Sequence, residues 1–379
     1  MKRTICLCLV IVFITVLAVT AQNGGRGGRL QEFLVQRYDG DGDGQLSDAE
    51  RQRMRTDLKE RRAGAEASAS PTRKSTATSP APPPQKLSGL YGQGQPTMPI
   101  VQKDLELQDK ARGRTIPFQI SYPQEPGPWP VIVWSHGLFG SQDAYEPLTS
   151  YWASHGYVVL QPSHTDSVKR GKGDLGKGMA ANTADWANRP EDISFLISSL
   201  AAQPGLAEGR ADMSHLGVGG HSFGAHTTLL LAGAEPKLHS NFSDPRPKAF
   251  LAISPQGEGR LLDEASWTGL KRPMLFISGD NDSSPGGEKA RWRLAPFHKC
   301  PAGSKYLMWI KGAYHNFGGI SGTQHARSGP IRADHVDLVR SATLAFWDDY
   351  LKESSEAARV IGRGSIGTQG QKLYRWEER

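Results

Sequence analysis

A chain of 379 residues with 37% hydrophobic side chains has material for one large core plus appendages. The formal net charge is +7, but many of the basic residues fall before position 75, which argues against a basic nucleic-acid groove and for a solvated basic tail. The three cysteines are Cys6, Cys8 and Cys300; the first two fall in a predicted signal peptide, so the mature chain could form no internal disulfide.

Residues 1–21 read as a secretory signal. Lys2 and Arg3 make a basic start, Ile5 to Ala18 is apolar apart from Thr15, and Val19-Thr20-Ala21 places small residues at a cleavage site. The apolar run is short for a membrane span, which sets a cleaved, secreted or periplasmic chain ahead of an uncleaved anchor.

Residues 22–60 contain a calcium-loop pattern. Asp39, Asp41 and Asp43 place carboxylates at alternate positions, Gly44 allows the sharp turn, Gln45 offers a backbone carbonyl, and Glu50 closes the loop with two oxygens. Leu30, Phe33 and Leu34 before it, and Met54 and Leu58 after it, recur at helical spacing. This predicts one EF-hand that binds calcium. EF-hands usually pair, so a single hand suggests protein docking or dimerisation through it. Residues 61–94, rich in Ala, Ser, Thr and Pro, are predicted to be a disordered linker.

From about residue 95 strand and helix signals alternate. Val101–Leu107 and Thr115–Tyr122 read as an antiparallel pair, and Val131–Trp134 and Tyr157–Leu160 as short buried strands. A helix is predicted from near Pro190, with Glu191 and Asp192 in its first turn. Strands follow at Leu216–Val218, Ala249–Ile253, Pro273–Ser278 and Lys305–Ile310, then a helix at Ala333–Lys352. This alternation predicts an α/β fold with a mainly parallel central sheet flanked by helices, spanning 95–353. Residues 354–379 are left as a C-terminal tail.

Gly220-His221-Ser222-Phe223-Gly224 stands between a predicted strand and a predicted helix. A serine on so tight a turn has strained backbone angles, and the flanking glycines let strand and helix approach. A serine nucleophile needs a base, an orienting acid and an oxyanion hole. Asp280 and Asp282 both follow a late strand, and Asp282 is preferred because it lies further beyond the strand-ending Gly279. His315 follows the next strand, completing the order serine, acid, histidine. The Ser135-His136-Gly137-Leu138 turn follows the first buried strand, so the backbone N–H groups of Leu138 and Phe223 are the predicted oxyanion donors. Phe139, Tyr145, Trp186 and Trp267 are candidates for an apolar acyl pocket.

These stretches, with Ala153–Val159, Asn188–Phe195 and His315-Asn316-Phe317, resemble an α/β-hydrolase of the platelet-activating-factor acetylhydrolase, dienelactone-hydrolase-like and cutinase-like group. The resemblance implies hydrolysis of carboxylic esters through an acyl-serine, with no metal in the chemistry. One departure is local. Such acetylhydrolases take their acid after the strand that follows the elbow helix, where this chain has Ser254-Pro255-Gln256. The Gly279–Asp282 placement resembles the other two branches. The expected activity is a secreted serine esterase acting on a small-molecule, lipid or polymer ester, with no catalytic cofactor and no nucleic-acid partner. The alternatives are a calcium-dependent surface protein with a silent hydrolase fold, and a peptidase or acyltransferase on the same scaffold.

Overall fold

The computed structural model describes Ser47, Glu50, Gln52 and residues 83–379, except 171–182, 238–240, 260, 285, 323–327 and 368–371. The chain divides into two compact units, Met1–Thr76 and Ala77–Arg379. The signal peptide and the calcium-loop residues Asp39, Asp41, Asp43 and Gln45 lie outside the described residues.

The second unit is built on nine strands: β1 (Ile100–Asp109), β2 (Arg114–Pro123), β3 (Trp129–Ser135), β4 (Val158–Pro162), β5 (Ala211–His221), β6 (Ala249–Ile253), β7 (Met274–Asn281), β8 (Lys305–Tyr314) and β9 (Tyr374–Glu378). They lie in one sheet in the order β1-β2-β4-β3-β5-β6-β7-β8-β9. From β4 through β8 neighbours are parallel; β1, β2 and β9 pair antiparallel at the two edges. The helices are α1 (Glu146–Ser154), α2 (Thr183–Ala202), α3 (Phe223–Ala232), α4 (Ala295–Lys299), α5 (Ala333–Lys352) and α6 (Ser355–Gly362).

The two-residue period of the strands divides the core between the faces. Ile132, Trp134, Leu251 and Ile253 pack with Trp152 of α1 and Phe346 and Trp347 of α5. Val131, Val133, Phe250 and Ala252 pack on the other face with Ile193 and Leu196 of α2 and Leu229 of α3. Both faces of the parallel strands are therefore covered, which is why these strands are continuous apolar runs.

Three boundaries depart from the sequence reading. The unit begins before residue 95, because Leu87 and Leu90 are buried in the α1/α5 core. The tail expected from 354 instead forms α6 and β9, and it buries Ile361, Ile366, Leu373 and Tyr374. Helix α2 starts at Thr183 and carries Pro190 inside it rather than at its first turn. Contacts to Phe223 hold the turn before the proline: the Trp186 ring lies 5.4 Å from it and the Arg189 guanidinium 4.3 Å. Tertiary packing thus carries the helix through a residue that removes a backbone donor.

Candidate active site

Ser222 stands where β5 ends and α3 begins, at φ 58° and ψ −116°. A side chain on either flanking glycine would collide with backbone: a Cβ on Gly220 would fall 2.3 Å from the Gly224 carbonyl oxygen, and one on Gly224 1.9 Å from that of Ser135. Both glycines are needed for β5, β3 and α3 to converge under the serine.

Ser222 Oγ lies 2.9 Å from Nε2 of His315. The other ring nitrogen, Nδ1, lies 2.7 Å from Oδ1 of Asp282. Serine, histidine and aspartate thus form one hydrogen-bonded line, with the serine partly open and the carboxylate fully buried. Asp280 is placed otherwise: it is exposed and accepts from Trp309 Nε1 at 2.6 Å and the Gly312 N–H at 2.9 Å. It thereby ties the end of β7 to the neighbouring parallel strand β8 where their register shifts.

The sequence reading missed the groups that hold Asp282. Its second oxygen accepts from Ser278 Oγ at 2.8 Å and from Ser254 Oγ, and Arg293 Nε lies 2.9 Å from Oδ1. Arg293 also donates to the carbonyls of Ser254 and Pro255, at 2.9 and 3.1 Å. Burial alone would raise the carboxyl's pKa, but the Arg293 guanidinium and the hydrogen bonds from His315 and Ser254 hold it below the usual carboxylate range. Ser254 occupies the β6 end where acetylhydrolase-like relatives are expected to carry the acid; here it donates to the acid supplied by β7. Nothing near position 282 in the sequence marks Arg293 as its partner.

The loop after β3 is fixed from beneath. Arg189, fully buried, donates to the carbonyls of His136 and Gly137 at 2.7 and 3.2 Å, and to Asp166 at 3.0 and 2.7 Å. Asp166 also accepts the Phe139 N–H at 3.1 Å, and the Gly140 N–H donates to the Gly137 carbonyl at 3.1 Å. The Leu138 N–H is left without an acceptor among the described residues. The Phe223 N–H opens α3, where the first helical donors have no partner in their own helix.

The four pocket candidates separate. Phe139 and Trp186 are partly exposed, next to Leu138 and against Phe223 respectively. Trp267 is fully buried among Leu262, Leu270 and Phe297, so it is a core residue and not a pocket wall. Tyr145 is also buried, with its hydroxyl committed to Gly137 and His221. An aromatic residue type alone cannot separate a core ring from a pocket ring. A cavity of about 330 Å³ opens beside the His315 loop, lined by Asn316, Gly318, Pro330 and Ile331 among others, but not by Ser222, Leu138 or Phe223.

Of the calcium-loop residues, Glu50 is described. Its carboxylate accepts from the Ser47 N–H at 2.8 Å and the Ser47 hydroxyl at 2.7 Å, while the Glu50 N–H reaches Ser47 Oγ at 3.4 Å, a reciprocal capping box. Among the described residues no cluster of His, Cys, Asp and Glu is arranged to hold a metal, and no helix is long and apolar enough to cross a membrane.

The sheet order, the strained serine between β5 and α3, and the acid and histidine beyond β7 and β8 define the α/β-hydrolase fold. Comparison with known proteins agrees. The Chlorophyllase family profile matches residues 87–258. The platelet-activating factor acetylhydrolase of Cavia porcellus is 23% identical over 267 residues, 59% of this chain and 58% of that protein. Cutinase 2 of Thermobifida cellulosilytica is 26% identical over 164 residues, 43% of this chain and 52% of that protein. The chain thus spans less than two thirds of the length of either relative. A dienelactone hydrolase structure from Klebsiella pneumoniae superposes with a TM-score of 0.51 at 17% identity, covering 66% of this chain and all of that one.

Proposed function

We propose that this protein is a secreted serine hydrolase that cleaves carboxylic esters through an acyl-serine intermediate. The observation that carries the reading is the hydrogen-bonded line from Ser222 through His315 to buried Asp282. His315 Nε2 takes the proton as Ser222 Oγ attacks the ester carbonyl. Asp282, ionised beside Arg293, fixes the imidazole tautomer and stabilises the imidazolium that forms. The N–H groups of Leu138 and Phe223 bind the tetrahedral oxyanion, where losing one such donor costs about 3 kcal/mol. His315 protonates the departing alkoxide, then activates the water that releases the acid. Phe139 and Trp186 line the acyl side. The acetylhydrolase and cutinase relatives support an ester substrate, of small-molecule, lipid or polymer type.

The N-terminal segment is proposed to bind one calcium through Asp39, Asp41, Asp43, the Gln45 carbonyl and Glu50, as a docking or dimerisation element outside the chemistry. For the catalytic reading, hydrolysis of p-nitrophenyl esters of graded acyl length by wild type and Ser222→Ala is decisive. The wild type should turn over and the variant should lose about 10⁴-fold or more in kcat. Equal inactivity of both across all chain lengths would refute the reading, and a marked preference for amides would replace it with a peptidase.

A further inference from the structure

Two buried side chains of the elbow region take no part in that mechanism. His221 precedes the nucleophile and is 4% exposed; Tyr145, at the start of α1, is 3% exposed. We infer that Tyr145 and His221 form a positioning relay that ties the Leu138 loop to the loop carrying His315, an inference that rests on the esterase reading of the site.

Three hydrogen bonds make the relay. The Gly137 N–H donates to Tyr145 Oη at 3.1 Å, Tyr145 Oη lies 2.7 Å from His221 Nδ1, and His221 Nε2 lies 2.7 Å from the His315 carbonyl oxygen. Their directions follow from the groups themselves. A carbonyl only accepts, so His221 Nε2 carries the ring proton. In the neutral ring Nδ1 then accepts, and the single proton of Tyr145 goes to it. A backbone N–H only donates, so the tyrosine oxygen receives Gly137. Every donor meets one acceptor and none is left over. Burial and the neighbouring His315 push the His221 pKa well down, so its ring stays neutral.

The packing leaves little slack at either end. A Cβ on Gly137 would lie 2.9 Å from Tyr145 Oη, so a larger residue there would displace the hydroxyl from its bond. The Tyr145 N–H is itself anchored on the Ser321 carbonyl at 3.0 Å, at a left-handed φ of 67°. The His221 and His315 rings lie 4.7 Å apart. Gly137 adjoins the proposed oxyanion donor, and the bonded carbonyl belongs to the proposed base. One hydrogen-bonded link therefore joins the loop of the donor to the loop of the base. A misplacement of about 1 Å there costs on the order of 100-fold in rate.

The full mature chain carries the test. Tyr145→Phe removes both bonds at the hydroxyl while keeping the ring. It should lower kcat about 10- to 100-fold while KM stays within about threefold. His221→Gln, whose amide N–H can still reach the His315 carbonyl, should recover part of the kcat lost in His221→Ala. Nitrogen NMR of the wild type at neutral pH should show His221 protonated at Nε2 and bare at Nδ1. Wild-type kcat per titrated active site in Tyr145→Phe, equal losses in His221→Gln and His221→Ala, or a ring protonated at Nδ1 would each overturn the relay. The two readings fail separately: an inactive wild type with the stated tautomer overturns the esterase, and an active wild type with full-rate Tyr145→Phe overturns the relay.

Discussion

Asp166 and Asp282 are both buried carboxylates kept charged by a guanidinium. Burial opposes ionisation at each, yet Arg189 at Asp166 and Arg293 at Asp282 hold their pKa values below the ordinary carboxylate range. A carboxyl depressed in the folded state adds stability that is complete above its unfolded value, about 4, and is lost as pH falls through its folded value. Asp166→Asn leaves the buried Arg189 without its counter-charge, a loss of about 3–5 kcal/mol near neutral pH. The Tm gap between wild type and Asp166→Asn should hold steady from about pH 7 to about pH 4 and narrow progressively from there to about pH 3 without closing, because the wild type alone forfeits this contribution in acid, fully only below its depressed folded value. A gap in Tm that stays constant across that range would refute the assignment. At this scale Ser222, Asp282 and His315 were legible because each follows its strand in a fixed chain order. Arg293, Ser254 and Ser278 were not, because what selects them is a carboxylate reached from three separate segments.

At the scale of elements, the sequence period identified the interior strands and the long helix α5, whose limits at Ala333 and Lys352 agree with the expected ones. It failed where apolar residues are sparse or a breaker intervenes. β9 reads Tyr-Arg-Trp-Glu-Glu, an edge strand with one fully covered side chain, and its partner β8 supplies the burial signal it lacks. Pro190 signals a helix start, and the turn before it is instead helical, with Trp186 and Arg189 packed on Phe223. The elbow glycines, by contrast, are legible because their constraint is local and steric. Gly224→Ala must push backbone against the Ser135 carbonyl, so a cost of about 3 kcal/mol or more is expected, with loss of esterase turnover. Gly205→Ala, where an added Cβ meets nothing within 4 Å, is the control and should melt like wild type. Parallel melts and ester assays of the two variants decide it; an unimpaired Gly224→Ala would remove the steric account of the elbow.

For the whole molecule, the division into Met1–Thr76 and Ala77–Arg379 bears on what calcium can do. Among the described residues, every contact that builds the Ser222 site comes from the second unit, and both of its core layers are formed by residues after 83. The proposed ligands all precede residue 51, followed by a stretch whose Ala, Ser, Thr and Pro composition offers no apolar core. Calcium should therefore bind without altering catalysis. Glu50 now has its carboxylate on the Ser47 N–H and hydroxyl, so binding the ion with both oxygens requires giving up or sharing those bonds. Titration calorimetry of the full chain with calcium should give one site per chain, abolished by Asp39→Ala and weakened by Glu50→Gln. Ester turnover should be the same, within about twofold, with excess calcium or with chelator. Binding heat that survives Asp39→Ala would reject the loop as the site, and a chelator-dependent kcat would reject the independence of the two units.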